Sequence, residues 1–508
     1  MSRGIQRVRI MKQPFSIKPG VIIAFVSLIS LALFYALTYD IAAISGWRVR
    51  LFDPNGFNTY ALQAQRWWRG SLDLGRLCQN CYDAAQIHFY RYCAYFPHLE
   101  IAHYGGRYWA SFPAVPSITA FLLYPFFGVF QPDRLIGFLY LLIGCIFMSL
   151  FFKRYTSELS AVFWGFFAGM GSNLLSISVF SGVWFLAQNM SFMFCAMALW
   201  AISTPPQFQG WRKKNNNAEA VDGVTRAASR RWVWAFVFWA LAVGCRPFQA
   251  IYLPILLWFL WRNLRIAHNN QRDSETPSDK FTVRHFIREL PNYAWAPLLI
   301  AFVYMVHNFA RFGNPLQFGH DFLPEMLRAP YGQFSSRYAF TRGDGATMSN
   351  LAQVLRFPEI RGGRLVFPRW NGFFYPLANP IFALLYLTVL FGGIAWIVKQ
   401  LYRMRTKPST SSALPLPQTR IFAKWETLIL LVLVFITTHI KMTLMLFHTS
   451  NGGWHFGVRY FADAIPFLML LLFIRRDIRA RIWDIAVFFF IALPLQIYGT
   501  MGWLAGWW

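Results

Sequence analysis

Long apolar blocks alternate with short basic segments along this chain, and that alternation leaves little choice of fold. Blocks at 20–39, 113–130, 134–152, 159–180, 183–202, 232–245, 247–261, 291–310, 380–400, 425–447, 459–474 and 483–503 approach the length of a membrane-crossing helix. About 20 residues at ~1.5 Å rise span the ~30 Å hydrocarbon core. In lipid each backbone N–H and C=O needs an internal partner, so such blocks must be helical. Composition agrees: 56% of the residues are hydrophobic and 14% charged, where soluble domains carry about 25% charged residues. Against 21 Asp and Glu stand 48 Lys and Arg, a net charge of +27. A nucleic-acid binder of that charge would scatter its apolar residues among the basic ones; here the two sets are segregated. The pattern excludes a soluble globule, a disordered tail and a disulfide-stapled miniprotein, and implies no nucleic-acid partner.

Charge then orients the spans. Arg3, Arg7, Arg9, Lys12 and Lys18 precede the first block and are expected to hold the N-terminus in the cytoplasm. No small-x-small site follows the block, which favours a retained span over a cleaved signal. Block 113–130 decides the rest, because it contains Pro113, Pro116 and Pro125. If it crosses, most lysines lie outside. If it dips in and returns, nine of the ten lysines lie inside and the tenth, Lys441, lies within a span. The positive-inside rule selects the second arrangement. The expectation is a single polytopic all-α membrane domain over 1–508 with about eleven spans and a juxtamembrane or re-entrant helix at 113–130. Its first external loop, 40–133, would hold surface and Pro-interrupted helices, and a second large one would cover 311–379. Segments 203–231, 263–290 and 403–424 read as solvated cytoplasmic loops. They contain no Walker pattern, and the absence of an internal repeat disfavours inverted-repeat transporters.

Several residues could carry chemistry. Asp53-Pro54 precedes Phe57, Tyr60, Ala61, Ala64 and Trp68, whose spacing predicts an amphipathic surface helix. Asp53 at its start reads either as an N-cap carboxylate or as a reactive group. Asp73 is expected to cap the turn after Gly70. Arg246, Arg459 and Lys441 lie in or beside spans, where a charge is costly unless paired or hydrated. Two readings stay open for them: contact with a substrate phosphate, or internal pairs such as Lys441 with Asp463. Outside the cytoplasmic segments every basic residue but Lys441 is Arg, the better planar partner for phosphate. Cys78, Cys81, Cys93 and His98 leave open a disulfide, a structural zinc site or free thiols. A divalent cation would need several carboxylate oxygens together, and no Asp-x-Asp occurs.

A resemblance adds to these readings. The first span is followed by Asp53, then by a surface stretch ending Arg69-Gly70-Ser71-Leu72-Asp73-Leu74, then by Gly106-Arg107-Tyr108 with Pro113-x-x-Pro116. Later come Cys245-Arg246-Pro247, His307-Asn308 with Arg311-Phe312-Gly313-Asn314-Pro315, and Phe456-Gly457-Val458-Arg459-Tyr460 with Pro466. Their shared order resembles the bacterial members of the GT-C superfamily, polytopic glycosyltransferases that take sugar from a polyprenyl-phosphate carrier. The resemblance implies a GT-C-like bundle in the cytoplasmic (inner) membrane with its active site on the outer face. It implies a hexosyl- or pentosyltransferase whose partners are a polyprenyl-phosphate sugar, membrane lipid and an acceptor glycan, lipid or protein. Asp53 matches the family's loop carboxylate and becomes the expected general base, with Glu100 a second catalytic carboxylate. Arg459, Arg246 and Lys441 become expected donor-phosphate contacts. Tyr60, His103, Arg107, Tyr108, Asp321, Trp454, His455 and Tyr460 are expected to line the substrate cavity. An O-antigen-type polymerase or ligase using lipid pyrophosphate, and a lipid or solute transporter, are the rival readings.

Overall fold

The computed structural model describes residues 19–45, 58–74, 101–111, 113–203, 218–271, 281–319, 322, 345–368, 372–405, 424–446, 455–475 and 477–504. After α1 (Pro19–Ser45) come the short α2 (Thr59–Trp68), a hairpin of β1 (Ile101–Tyr104) and β2 (Arg107–Ala110), and α3 (Val115–Phe127). Helices α4 (Asp133–Phe152), α5 (Glu158–Met170), α6 (Leu174–Phe180) and α7 (Val183–Ile202) form the densest part of the bundle. Then follow α8 (Ala218–Val243), α9 (Leu253–Gln271), α10 (Val283–Glu289), α11 (Pro291–Phe312) and α12 (Gly345–Val354). A second hairpin, β3 (Glu359–Arg361) and β4 (Arg364–Val366), leads into α13 (Tyr375–Ala378), α14 (Pro380–Arg405) and α15 (Lys424–Leu446). The chain finishes with α16 (Arg459–Ala462), α17 (Ile465–Leu468), a tight turn at Met469–Ile474, then α18 (Ile482–Ala486) and α19 (Leu493–Leu504). A π-helical turn, Val487–Ala492, joins the last two; it precedes Pro494, whose ring cannot fit a regular α-helical ladder.

Among the described residues seven helices are long and apolar enough to cross a membrane, and the α5–α6 pair, bent by 54°, makes an eighth. The chain is a helical membrane protein. Of the other expected spans, 380–400 lies within the 26-residue α14 and 232–245 falls largely within the 26-residue α8, while 459–474 is not one continuous helix. Arg226, Arg230 and Arg231 lie in the polar N-terminal stretch of the continuous helix α8, and 459–474 is split into short pieces around Asp463. At 13 residues, α3 reaches only ~20 Å, too short for a perpendicular crossing.

Small residues let the central helices close up. A Cβ on Gly165 would lie 2.1 Å from Ser149 Oγ, and one on Gly169 would lie 2.2 Å from Cys145 Sγ. This small-xxx-small stripe on α5 brings its backbone against α4, where lipid gives no hydrophobic drive and close packing must supply the attraction. Trp164, Phe138, Phe151 and Phe167 fill the space around that seam and are fully buried.

Three expectations change. The first span continues to Ser45 rather than ending at 39, so the loop begins later. The basic segments are partly helical: α8 begins at Ala218, α9 runs to Gln271 and α10 occupies Val283–Glu289. Extending an existing helix costs far less than nucleating one, so spans run on into polar sequence. The first loop also contains a hairpin in addition to its helices. Gly105 and Gly106 at φ +61° and +70° make its two-residue turn, a conformation that Gly-Gly adopts without strain.

Candidate active site

Four chain segments converge near one end of the bundle. Helix α8 stops at Val243 because Pro247 cannot continue it. The residue before that proline, Arg246, is extended (φ −143°, ψ 99°), as steric contact with a following proline dictates. Its side chain therefore leaves the helix and reaches across the bundle. From α7 come Gln188 and Ser191, from α15 comes Lys441, and from the broken segment after α15 come Arg459, Tyr460 and Asp463.

Asp463 is the centre of this group and only 2% exposed. Arg246 Nε lies 3.1 Å and Lys441 Nζ 3.3 Å from the same oxygen, Oδ2. Gln188 Nε2 donates to Oδ1 at 3.3 Å and to the Arg459 carbonyl at 2.9 Å. Gln249 Nε2 donates to the Asp463 carbonyl at 3.3 Å and to Ser191 Oγ at 2.9 Å. Aromatic rings surround the cations: Arg246 lies 5.2 Å and Arg459 4.8 Å from the centre of the Tyr460 ring. Lys441 lies 5.8 Å from that of Tyr252, which stacks on Phe467 at 4.0 Å. Cation–π contacts soften the desolvation of such groups but do not neutralise them. Among the described residues, one carboxylate thus serves two cations.

Helix α2 roofs this end. Asn58 caps it, accepting from Ala61 N at 3.1 Å, while its Nδ2 donates to Asp133 at the start of α4. The cap carboxylate that the sequence offered, Asp53, is therefore not the cap of this helix. Tyr60, fully buried, packs with Val183, Leu186 and Cys245 and is in electrostatic reach of Arg246. Ser117 donates to Gln63, and Trp68 stacks on Phe121 at 4.8 Å while its Nε1 donates to the Phe121 carbonyl at 2.7 Å. These bonds clamp α2 onto α3.

The expected site residues divide into four groups. Arg246, Lys441, Arg459, Tyr60 and Tyr460 come together, and Lys441 adopts the internal pairing with Asp463 that the sequence left open. His103, Arg107 and Tyr108 belong to the hairpin. Tyr108 packs with Leu62, Leu74 and Ile101 and stacks on His103 at 4.9 Å. Arg107 pairs with Asp73 at 3.1 Å. Asp73 also holds Arg66 at 3.2 Å, so it ties the hairpin to α2 rather than merely capping a turn. His455 is buried near α13 and α19 through its neighbour Phe456, which packs on Phe373 and Tyr498. Asp53, Glu100, Asp321, Trp454, Cys78, Cys81, Cys93 and His98 lie outside the described residues. Among the described residues no three His, Cys, Asp or Glu side chains group as metal ligands. Gln188 and Gln249 were missed by the sequence reading, although an amide inside an apolar run is itself a signal of an internal polar contact.

No protein-family model and no curated protein matches the sequence. Among solved structures, the oligosaccharyltransferase of Archaeoglobus fulgidus in its apo form overlays 95% of this chain with 14% identity and a TM-score of 0.42. The overlay covers 56% of that chain, so the present chain spans about half its length. Apo ArnT from Cupriavidus metallidurans overlays 95% of this chain and 78% of its own, with 12% identity and a TM-score of 0.28. The undecaprenyl phosphate-bound form of that ArnT gives 96%, 78%, 13% and 0.29. By its apolar helices, the chain described here is a multi-pass helical membrane protein.

Proposed function

We propose that this chain is a membrane glycosyltransferase that moves a hexosyl or pentosyl group from a polyprenyl-phosphate carrier to an acceptor on the non-cytoplasmic face. The observation that supports this reading most is the sharing of Asp463 by Arg246 and Lys441. One carboxylate balances one cation, and the surplus positive charge sits where an unbalanced charge costs several kcal/mol. A phosphate brought by a lipid carrier supplies the missing negative charge, and its chain can stay in the bilayer.

The proposed chemistry fits that surplus. The acceptor oxygen bonds to the anomeric carbon as the bond from that carbon to the carrier phosphate oxygen breaks. The electron pair leaves with the phosphate, whose charge grows from a diester to a monoester. Arg246 and Lys441 then bind the departing phosphate more strongly than the donor, which is the condition for accelerating the step. Asp463 keeps both cations in place. The acceptor's proton goes to Asp53, the base implied by the sequence resemblance. In the sequence it precedes Asn58, the cap of α2, by five positions.

The test is incubation of the purified protein, with envelope extract as acceptor source, with polyprenyl-phosphate sugars and with pyrophosphate-linked oligosaccharides. Released carrier is followed by mass. Release of polyprenyl phosphate by wild type but not by Asp53→Asn is the expected result. Transfer solely from pyrophosphate-linked donors, or full activity in Asp53→Asn, would sink the reading.

A further inference from the structure

The other end of the bundle holds a second cationic site that does not depend on the transferase reading. Along α7, from Gln188 to Ser203, 15 residues of chain give a separation of ~22 Å. A helix C-terminus leaves carbonyls without intrahelical donors. Here Arg154 Nη1 donates to the carbonyls of Trp200 and Ser203 and contacts the Ser203 hydroxyl. Arg231 donates through Nε to the Ala201 carbonyl at 3.1 Å and through Nη2 to the same Ser203 carbonyl. Asn263 Nδ2 donates to the Ile202 carbonyl at 2.6 Å.

The dipole places only about half a negative charge at a helix C-terminus, whereas two guanidinium groups bring two positive charges to this one. Both guanidinium carbons lie 5.5 Å from the centre of the Trp200 ring. Tyr155 is in electrostatic reach of Arg154, Arg231 and Arg262. Among the described residues no carboxylate pairs with Arg154 or Arg231, whereas Arg262 and Arg265 already share Glu426. Burial, and then the charge of Arg231, push the Arg154 guanidinium down to about 9. Two like charges are thus held together, half-buried, beside the Trp and Tyr side chains that favour the membrane interface.

We propose that Arg154 and Arg231 form a binding site for the phosphate of an anionic phospholipid headgroup, with Trp200 and Tyr155 at its interfacial edge. A phosphate between the two guanidinium groups removes their mutual repulsion. Arg154 uses only Nη1 toward the helix end, which leaves donors on Nε and Nη2 for phosphate oxygens in the forked geometry that arginine provides. The basic segments 203–231 and 263–290 flank this end and add attraction for an anionic leaflet.

The experiment measures binding to the purified full-length protein by native mass spectrometry, and the shift of its unfolding midpoint. The probes are phosphatidylglycerol, phosphatidylcholine and inorganic phosphate. Expected are one saturable phosphatidylglycerol per chain and a midpoint increase that neither other probe reproduces. Arg154→Gln and Arg231→Gln are each expected to weaken that binding at least ten-fold. Arg479→Gln, at an exposed arginine near the same end, is expected to leave it unchanged. Equal phosphatidylglycerol binding by all variants would overturn the site. An equal effect of inorganic phosphate would overturn the headgroup as its ligand. If the variants do not fold, the wild-type titration decides: graded, unsaturable uptake of phosphatidylglycerol, or equal uptake of phosphatidylcholine, contradicts the proposal.

Discussion

Two buried carboxylates, one toward each end of the bundle, are equally hidden yet built differently. Asp463 and Asp484 are each 2% exposed. Asp484 is held bidentately by one arginine, Arg475, at 2.7 and 3.0 Å, and also accepts from Arg481 N at 2.8 Å. Arg475 spends a further donor on Thr388 Oγ1 at 3.0 Å. One charge meets one charge, and both oxygens are occupied. Asp463 instead meets two cations through one oxygen at 3.1 and 3.3 Å, with a glutamine on the other. A balanced, forked pair is what a structural clasp needs. A carboxylate outnumbered by its cations is what an anion-binding site needs before the anion arrives. Burial alone does not distinguish the two; charge balance does.

Substitutions can break that contrast. The largest effect on folding is expected from Asp484→Asn, which leaves Arg475 buried without a counter-charge and costs about 3–5 kcal/mol of stability, read as a lower unfolding midpoint. The molecules that remain folded should keep their specific activity. Arg246→Gln should act the other way. It leaves Asp463 balanced by Lys441, so the midpoint should move little, while sugar transfer falls about 10²- to 10³-fold for loss of one charge-stabilising donor. Lys441→Met should also keep Asp463 paired and lower donor affinity by about 10- to 100-fold, the worth of one charge-assisted bond. The smallest effect belongs to Glu359→Gln in the second hairpin. Hydrogen bonds from Arg356 and Arg361 hold the Glu359 carboxyl below its ordinary range. Whatever stability this gives is present at neutral pH and is lost as the pH falls through that lowered value. The group is solvent-exposed, so its substitution at neutral pH should leave both midpoint and activity unchanged.

Much of the architecture was legible in the sequence because the bilayer imposes one rule on every block. The limits 183–202 were read directly and recur in α7. The three prolines in 113–130 mark a shortened helix, and α3 there has 13 residues. Local breaks were harder. Nothing in the apolar run 159–180 marks a bend as clearly as proline does, yet α5 and α6 part at Gly171–Asn173, where Asn173 N donates to Asn379 Oδ1 at 2.9 Å. That bond joins residues 206 positions apart, and no local pattern encodes it. The hairpins were missed although both carry Gly-Gly-Arg at their turns, since each strand is only three or four residues long.

The site was legible by charge and blind to geometry. Arg246, Arg459 and Lys441 stood out as ionisable residues among apolar ones, and they do converge. That Arg246 and Lys441 share Asp463, and that Gln188 and Gln249 hold it, depends on how four distant segments pack. Asp73 illustrates the opposite error: its place after Gly70 suggested a turn cap, while Arg66 and Arg107 make it the tie between α2 and the first hairpin.

The most direct test of an anion site at Asp463 is the affinity of polyprenyl phosphate for wild type, Arg246→Gln and Lys441→Met, with the uncharged polyprenol as control. An unbalanced site predicts that wild type binds the phosphate at least ten-fold tighter than either variant, and that polyprenol binds all three weakly and alike. Equal phosphate affinity across the three proteins, or polyprenol binding as tight as polyprenyl phosphate, would contradict it.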